Sequence, residues 1–134
     1  MSRVLVDTNI FIYALINTSS FHHQAASLLQ NNSIELFTAS KNISEYFAVC
    51  TKLGVSKEVI WNFYRDILHN TTILFPHEES LSRFEFLLER YQPVGNRVYD
   101  MEIVSIMLAH SITEIATVNT KDFELIKEIS LFAL

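Results

Sequence analysis

Short apolar runs alternate along the chain with longer segments whose apolar residues recur at helical spacing. Val4-Leu5-Val6 is continuously apolar and stops at Asp7, the pattern of a strand buried on both faces. Asn9 to Leu15 reads as a short apolar helix, and Phe21 to Leu29 as a second with Ala25, Leu28 and Leu29 inward. Ile34 to Ala39 is strand-like. Ser40 is the expected N-cap of a helix running to Leu53, with Ile43, Phe47 and Cys50 at helical spacing and Gly54 as its C′ residue. Ser56 opens the next helix, through Ile60, Phe63 and Ile67. Thr71 to Phe75 is a third strand stopped by Pro76, and a helix beginning at Glu78 or Ser80 ends near Tyr91. Val98 to His110 is apolar around most of its circumference, so it is expected to be buried. Glu114 to Val118 is a fourth strand, Lys121 to Glu128 a short helix, and Ile129 to Ala133 a last strand.

This alternation predicts an α/β fold, a mainly parallel sheet of four or five strands sandwiched by helices. No repeat, low-complexity tract or linker divides the sequence, so one domain over residues 1–134 is expected. Such sheets carry their sites beyond the carboxyl ends of the strands. Asp7 follows the first strand directly. Glu45 lies in the second turn of the helix after strand two, Asp100 at the start of the buried helix, and Asn119 and Asp122 after strand four. Four acids from distant parts of the chain therefore converge on one edge.

Each acid alone has a structural explanation. Asp7 and Asp100 are good helix caps, Asp122 can cap the short final helix, and Glu45 follows Lys41 at i,i+4, the spacing of an exposed ion pair. Together they require more. Two like charges about 5 Å apart repel by about 3 kcal/mol at an effective dielectric of about 20, so a gathering of three or four calls for a cation. Oxygen ligands without His or Cys suit magnesium or manganese, and the chemistry they point to is metal-assisted attack of water on a phosphodiester.

Composition narrows the alternatives. The chain has 134 residues with 49% hydrophobic and 12% aromatic residues, enough for a core that hides about two-thirds of the unfolded surface. Gly and Pro number two each, which argues against a loop-rich sandwich, and two glycines cannot build a phosphate-binding loop. The single Cys50 fits a reducing compartment, and the longest apolar run, Ile10–Ile16, is too short to span a membrane, so a cytoplasmic protein is expected. A net charge of −5 argues against wrapping duplex DNA through a broad basic face but not against a nuclease. The five histidines show no metal-ligand spacing. Arg97 and Lys121 flank the acids and are candidates for RNA phosphates, or else solvated charges. Trp61 and Tyr64 share one side of their helix and suggest a dimer interface. A receiver-like phosphoacceptor would need an acid after the third strand, where Leu74-Phe75-Pro76-His77 has none.

Four segments in order, Val4-Leu5-Val6-Asp7-Thr8-Asn9, Ile43-Ser44-Glu45, Val98-Tyr99-Asp100 and Thr117-Val118-Asn119-Thr120-Lys121-Asp122-Phe123, resemble the four motifs of PIN-domain nucleases, and more narrowly of VapC-type toxins. The resemblance covers almost the whole chain. It implies cleavage of single-stranded RNA with magnesium or manganese, often a homodimer, and inhibition by a small cognate antitoxin laid across the acidic site. Asp7, Glu45 and Asp100 match the three firmest acids, and Thr8 and Asn9 the polar positions beside the first. Asn119 stands where many members carry Asp, with Asp122 as the alternative source of that charge. Tyr99 stands where relatives often have His. A metal-free PIN fold that binds RNA or protein without cleaving is the competing reading.

Overall fold

A computed structural model describes residues 1–134. In chain order the elements are β1 (Ser2–Val6), α1 (Thr8–Leu15), α2 (His22–Leu29), β2 (Ile34–Ala39), α3 (Ser40–Lys52), α4 (Lys57–Asn70), β3 (Thr72–Leu74), α5 (Glu78–Tyr91), α6 (Arg97–Ala109), β4 (Glu114–Ala116) and β5 (Ser130–Leu131). The five strands form one sheet in the order β3-β2-β1-β4-β5, and every pairing is parallel. The predicted α/β architecture is the observed one.

β1 is central and buried on both faces, which is why its apolar run is unbroken. Val4 and Val6 point into a core closed by α1 to α4, and Leu5 into a second core closed by α5 and α6. The same alternation places Leu36 in the first core and Phe37 in the second. α6 is the buried helix its composition demanded, with Ile103, Val104, Ile106 and Met107 all nearly inaccessible. No helix is long and apolar enough to cross a membrane.

Strand order matters for function. The chain moves outward from β1 to β2 to β3, then returns to the other side of β1 for β4. The carboxyl ends of β1 and β4 therefore flank a topological switch point, where the connections leave in opposite directions and open a crevice.

Several local expectations change. Ala39, not Ser40, is the N-cap of α3, and the Asn42 side chain accepts the Ala39 N–H at 3.0 Å. The fully buried stripe of α3 is Asn42, Tyr46 and Cys50, one residue out of phase with Ile43 and Phe47, which are half-buried. The helix does end at Gly54, at φ +75°, with Val55 N–H bonded to the Cys50 carbonyl. The predicted helix Lys121 to Glu128 is only a 3-10 turn, Thr120–Asp122, followed by turns. Phe123 and Ile126 are needed in the α5–α6 core, and the chain meets that need with successive turns. Tyr91 pins this segment by accepting the Lys127 N–H and donating to Glu128. The last strand shrinks to Ser130–Leu131, a short edge beside β4.

Candidate active site

Asp7 is the best-held group at the switch point. It caps α1 and is 7% exposed. Its Oδ1 accepts from the Thr8 N–H at 2.9 Å and Asn42 Nδ2 at 3.3 Å, while Oδ2 accepts from Thr117 Oγ1 at 2.8 Å and Asn9 Nδ2 at 3.3 Å. Four donors thus occupy the roughly four lone-pair positions of a carboxylate. Burial nevertheless pushes the Asp7 carboxyl up from its ordinary value, and the charge of Asp122 pushes the same way.

The other acids meet Asp7 around one cavity of about 420 Å³, whose lining includes Asp7, Thr8, Asn9, Glu45, Asp100, Asn119 and Asp122. Glu45, in the second turn of α3, accepts from Thr8 Oγ1 at 3.3 Å. The expected Lys41–Glu45 ion pair does not form. Lys41 instead reaches Glu102 at 3.7 Å, with its ammonium 4.0 Å from the centre of the Tyr99 ring. Burial, then the Asp7 charge, pushes the Glu45 carboxyl up.

Asp100 is not a cap. Asn96 occupies the N-cap position of α6, and Asp100 lies in the first turn with its side chain on the cavity. Burial and the charges of Asp122, Asp7 and Glu45 push its carboxyl up to about 7, against the opposing pull of Arg97. Asp122 closes the 3-10 turn and does not cap a helix; it pairs with Arg97 Nη1 at 3.2 Å. Arg97 Nη2 also reaches the Lys121 carbonyl at 3.5 Å. Lys121 itself is exposed and does not line the cavity, and neither does Arg97. Asn119 lines the cavity, and its N–H donates to Thr117 Oγ1 at 3.1 Å.

The donor set is all oxygen, which suits a hard divalent ion. No three His, Cys, Asp or Glu side chains stand close enough to hold one ion together. That spacing argues against an all-protein cage. It is compatible with magnesium-type binding, where one or two carboxylates and several waters surround the ion. Burial, and after it the charges of neighbouring carboxylates, disfavours the ionised forms of Asp7, Glu45 and Asp100, and a cation in this cavity would offset both.

Sequence reasoning missed Asn42 and left Thr117 without a role. Asn42 is fully buried on α3 and Thr117 is 2% exposed, yet both hold the Asp7 carboxylate. A signal for Asn42 was present: it lies four residues before Tyr46 and eight before Cys50, a polar residue on the buried stripe of a helix.

The PIN domain family model matches residues 4–129. The chain belongs to the PIN domain family. Among solved structures, this PIN domain is similar to a chain of VapBC2 from Rickettsia felis bound to a promoter DNA fragment, at 22% identity, 97% coverage of both chains and a TM-score of 0.74. It is likewise similar to a chain of DNA-bound VapBC from Salmonella typhimurium, at 20% identity, 98% coverage of both chains and a TM-score of 0.72. A third likeness is to Mycobacterium tuberculosis VapC20, a toxin that cleaves the sarcin-ricin loop, at 12% identity, 84% coverage of this chain and 86% of that one, and a TM-score of 0.67. At these identities the likeness is one of fold. A search of the curated proteins finds no match.

Proposed function

We propose that this PIN domain is a divalent-metal-dependent endoribonuclease acting on single-stranded RNA, and the toxin of a toxin–antitoxin pair. The observation that carries the enzymatic reading is the single cavity at the switch point lined by Asp7, Glu45, Asp100 and Asp122. Magnesium or manganese bound there supplies an activated water and positive charge beside the scissile phosphate. Asp7, Glu45, Asp100 and Asp122 would share the ion, one or two of them as direct ligands and the others through its coordinated waters. Thr8 and Asn9 orient the first of these acids, Asn119 offers an amide at the fourth corner, and Arg97 and Lys121 meet phosphates of the RNA strand from the rim. Asn9 lines the cavity and makes one of the two long bonds to Asp7, so it is the donor best placed to yield when the carboxylate takes a second partner.

In this reaction water attacks phosphorus, the P–O3′ bond breaks, and the products carry a 5′-phosphate and a 3′-hydroxyl. The antitoxin reading is supported by the fold shared with VapBC assemblies. A protein of this kind acts in the cytoplasm, commonly as a homodimer.

End-group analysis of the products tests the mechanism. A 5′-phosphate on the downstream fragment is expected, whereas a 2′,3′-cyclic phosphate on the upstream fragment would show attack by the 2′-hydroxyl and overturn it. Expression of the chain alone should arrest bacterial growth, and harmless expression of folded, RNA-cleaving protein would remove the toxin assignment.

A further inference from the structure

One buried amide joins the two arms of the acidic site. Asn42 occupies the third position of α3, is 0% exposed, and does not line the cavity. Its Oδ1 accepts the Ala39 N–H at 3.0 Å, and its Nδ2 donates to Thr8 Oγ1 at 3.0 Å and to Asp7 Oδ1 at 3.3 Å. These partners fix the amide's orientation, because an N–H must meet the oxygen and a carboxylate must meet the NH₂. The Thr8 hydroxyl accepts from Asn42 and so directs its own proton elsewhere, to Glu45 Oε2 at 3.3 Å and the Asn42 carbonyl at 3.4 Å. A directed chain of hydrogen bonds therefore runs from Asn42 to Asp7 on one branch and through Thr8 to Glu45 on the other.

Helix capping alone does not account for this residue. Accepting the Ala39 N–H needs only an oxygen at the third helical position, which Glu or Gln can supply from the surface. Asp at the same place would supply that oxygen and would also favour the positive end of the helix. Only an amide supplies both the capping oxygen and the N–H groups that face Asp7 and Thr8. A buried polar side chain that is fully used in this way is costly to replace.

We propose that Asn42 is a positioning residue that sets Asp7 and Glu45 relative to each other for the cleavage reaction. This rests on the nuclease reading of the same cavity.

The test is Asn42→Asp, which retains shape and capping oxygen but turns an oxygen toward Asp7. Asn42→Ala serves as a second variant, and both are checked for folding by circular dichroism and urea unfolding. In folded Asn42→Asp, kcat on unstructured RNA should fall about 100-fold, the scale of a misplaced catalytic group, with KM within about threefold of wild type. Affinity for Mn²⁺, titrated without RNA, should fall about tenfold. The double variant Asp7→Asn/Asn42→Asp removes one of the two carboxylate charges that Asn42→Asp sets face to face at this contact. Its urea midpoint should recover at least half of the loss caused by Asn42→Asp alone, a readout that needs neither metal nor RNA. Wild-type kcat and Mn²⁺ affinity in Asn42→Asp, or no recovery in the double variant, would overturn the proposal. If the wild-type chain neither binds Mn²⁺ nor cleaves RNA, the nuclease reading fails and the catalytic purpose with it. The urea comparison then separately decides the Asn42–Asp7 link.

Discussion

The Thr117 hydroxyl donates a 2.8 Å hydrogen bond to Asp7 Oδ2, tying the residue after β4 to the residue after β1. These are the two strands at which the sheet reverses its order, so the bond spans the mouth of the crevice. The same hydroxyl accepts from the Asn119 N–H, so the loop that carries Asp122 is referenced to Asp7 through one atom. The acidic site is built on strand ends, and side chains reach it from α3, α6 and the β4 loop.

Asp100 separates a site of mutual repulsion from a set of structural acids. Asp100→Asn keeps the shape and removes one of the charges that crowd the cavity. The variant should melt at an equal or higher temperature than wild type when both are treated with chelator, and lose nearly all RNA cleavage. Saturating Mn²⁺ should stabilise wild type by about 2.7 kcal/mol at a hundredfold excess over its dissociation constant, and the variant by less. Differential scanning fluorimetry with chelator and with Mn²⁺, beside a cleavage assay, checks both halves. An Asp100→Asn protein as active as wild type would take Asp100 out of the site.

The pH dependence of stability follows from burial of these carboxyls, with the crowding of charge added to it. Asp7, Glu45 and Asp100 all hold their protons more tightly folded than unfolded. The unfolded value for Asp is about 3.9, and the folded Asp100 carboxyl is at about 7. Its contribution is therefore fully present below the unfolded value and is lost as pH rises through the folded one. In chelator, Asp100→Asn should gain stability relative to wild type as pH goes from about 4 to about 8. Urea unfolding at four or five pH values measures this difference, and a difference that stays flat would contradict it.

Most of this arrangement is legible in the sequence, because the strands are short unbroken apolar runs that stop at polar residues. Asp7 ends β1 where Val4-Leu5-Val6 ends, so its place at the carboxyl edge follows from burial of the strand. The segment after Asp122 was not legible: Phe123 and Ile126 have helical spacing, yet the chain reaches the core in successive turns. Lys41 and Glu45 likewise have the spacing of an ion pair, but tertiary contacts with Glu102 and Tyr99 take the lysine away. Local spacing states what a helix permits, and packing chooses among the permitted partners.

Arg97 has a double position, paired with Asp122 in the free protein and proposed to face RNA phosphate in the complex. Arg97→Ala should weaken RNA binding, seen as a KM raised about three- to tenfold, with a shallower dependence on salt. It should also free the Asp122 carboxylate, so Mn²⁺ affinity measured without RNA should be equal or higher. Calorimetric titration of Mn²⁺ and steady-state kinetics at two salt concentrations test the pair of effects. Lower Mn²⁺ affinity with unchanged KM would assign Arg97 to holding the loop in place.

Metal-dependent RNA cleavage by the acidic cavity is open to direct measurement. Purified wild-type chain and Asp7→Asn should each be incubated with an unstructured RNA, in Mn²⁺ and in excess chelator. Cleavage by wild type in Mn²⁺, abolished by chelator and absent from Asp7→Asn in either condition, is the predicted result. Equal cleavage in chelator and Mn²⁺, or full activity in folded Asp7→Asn, would show that the acidic cavity is not a metal-dependent nuclease site.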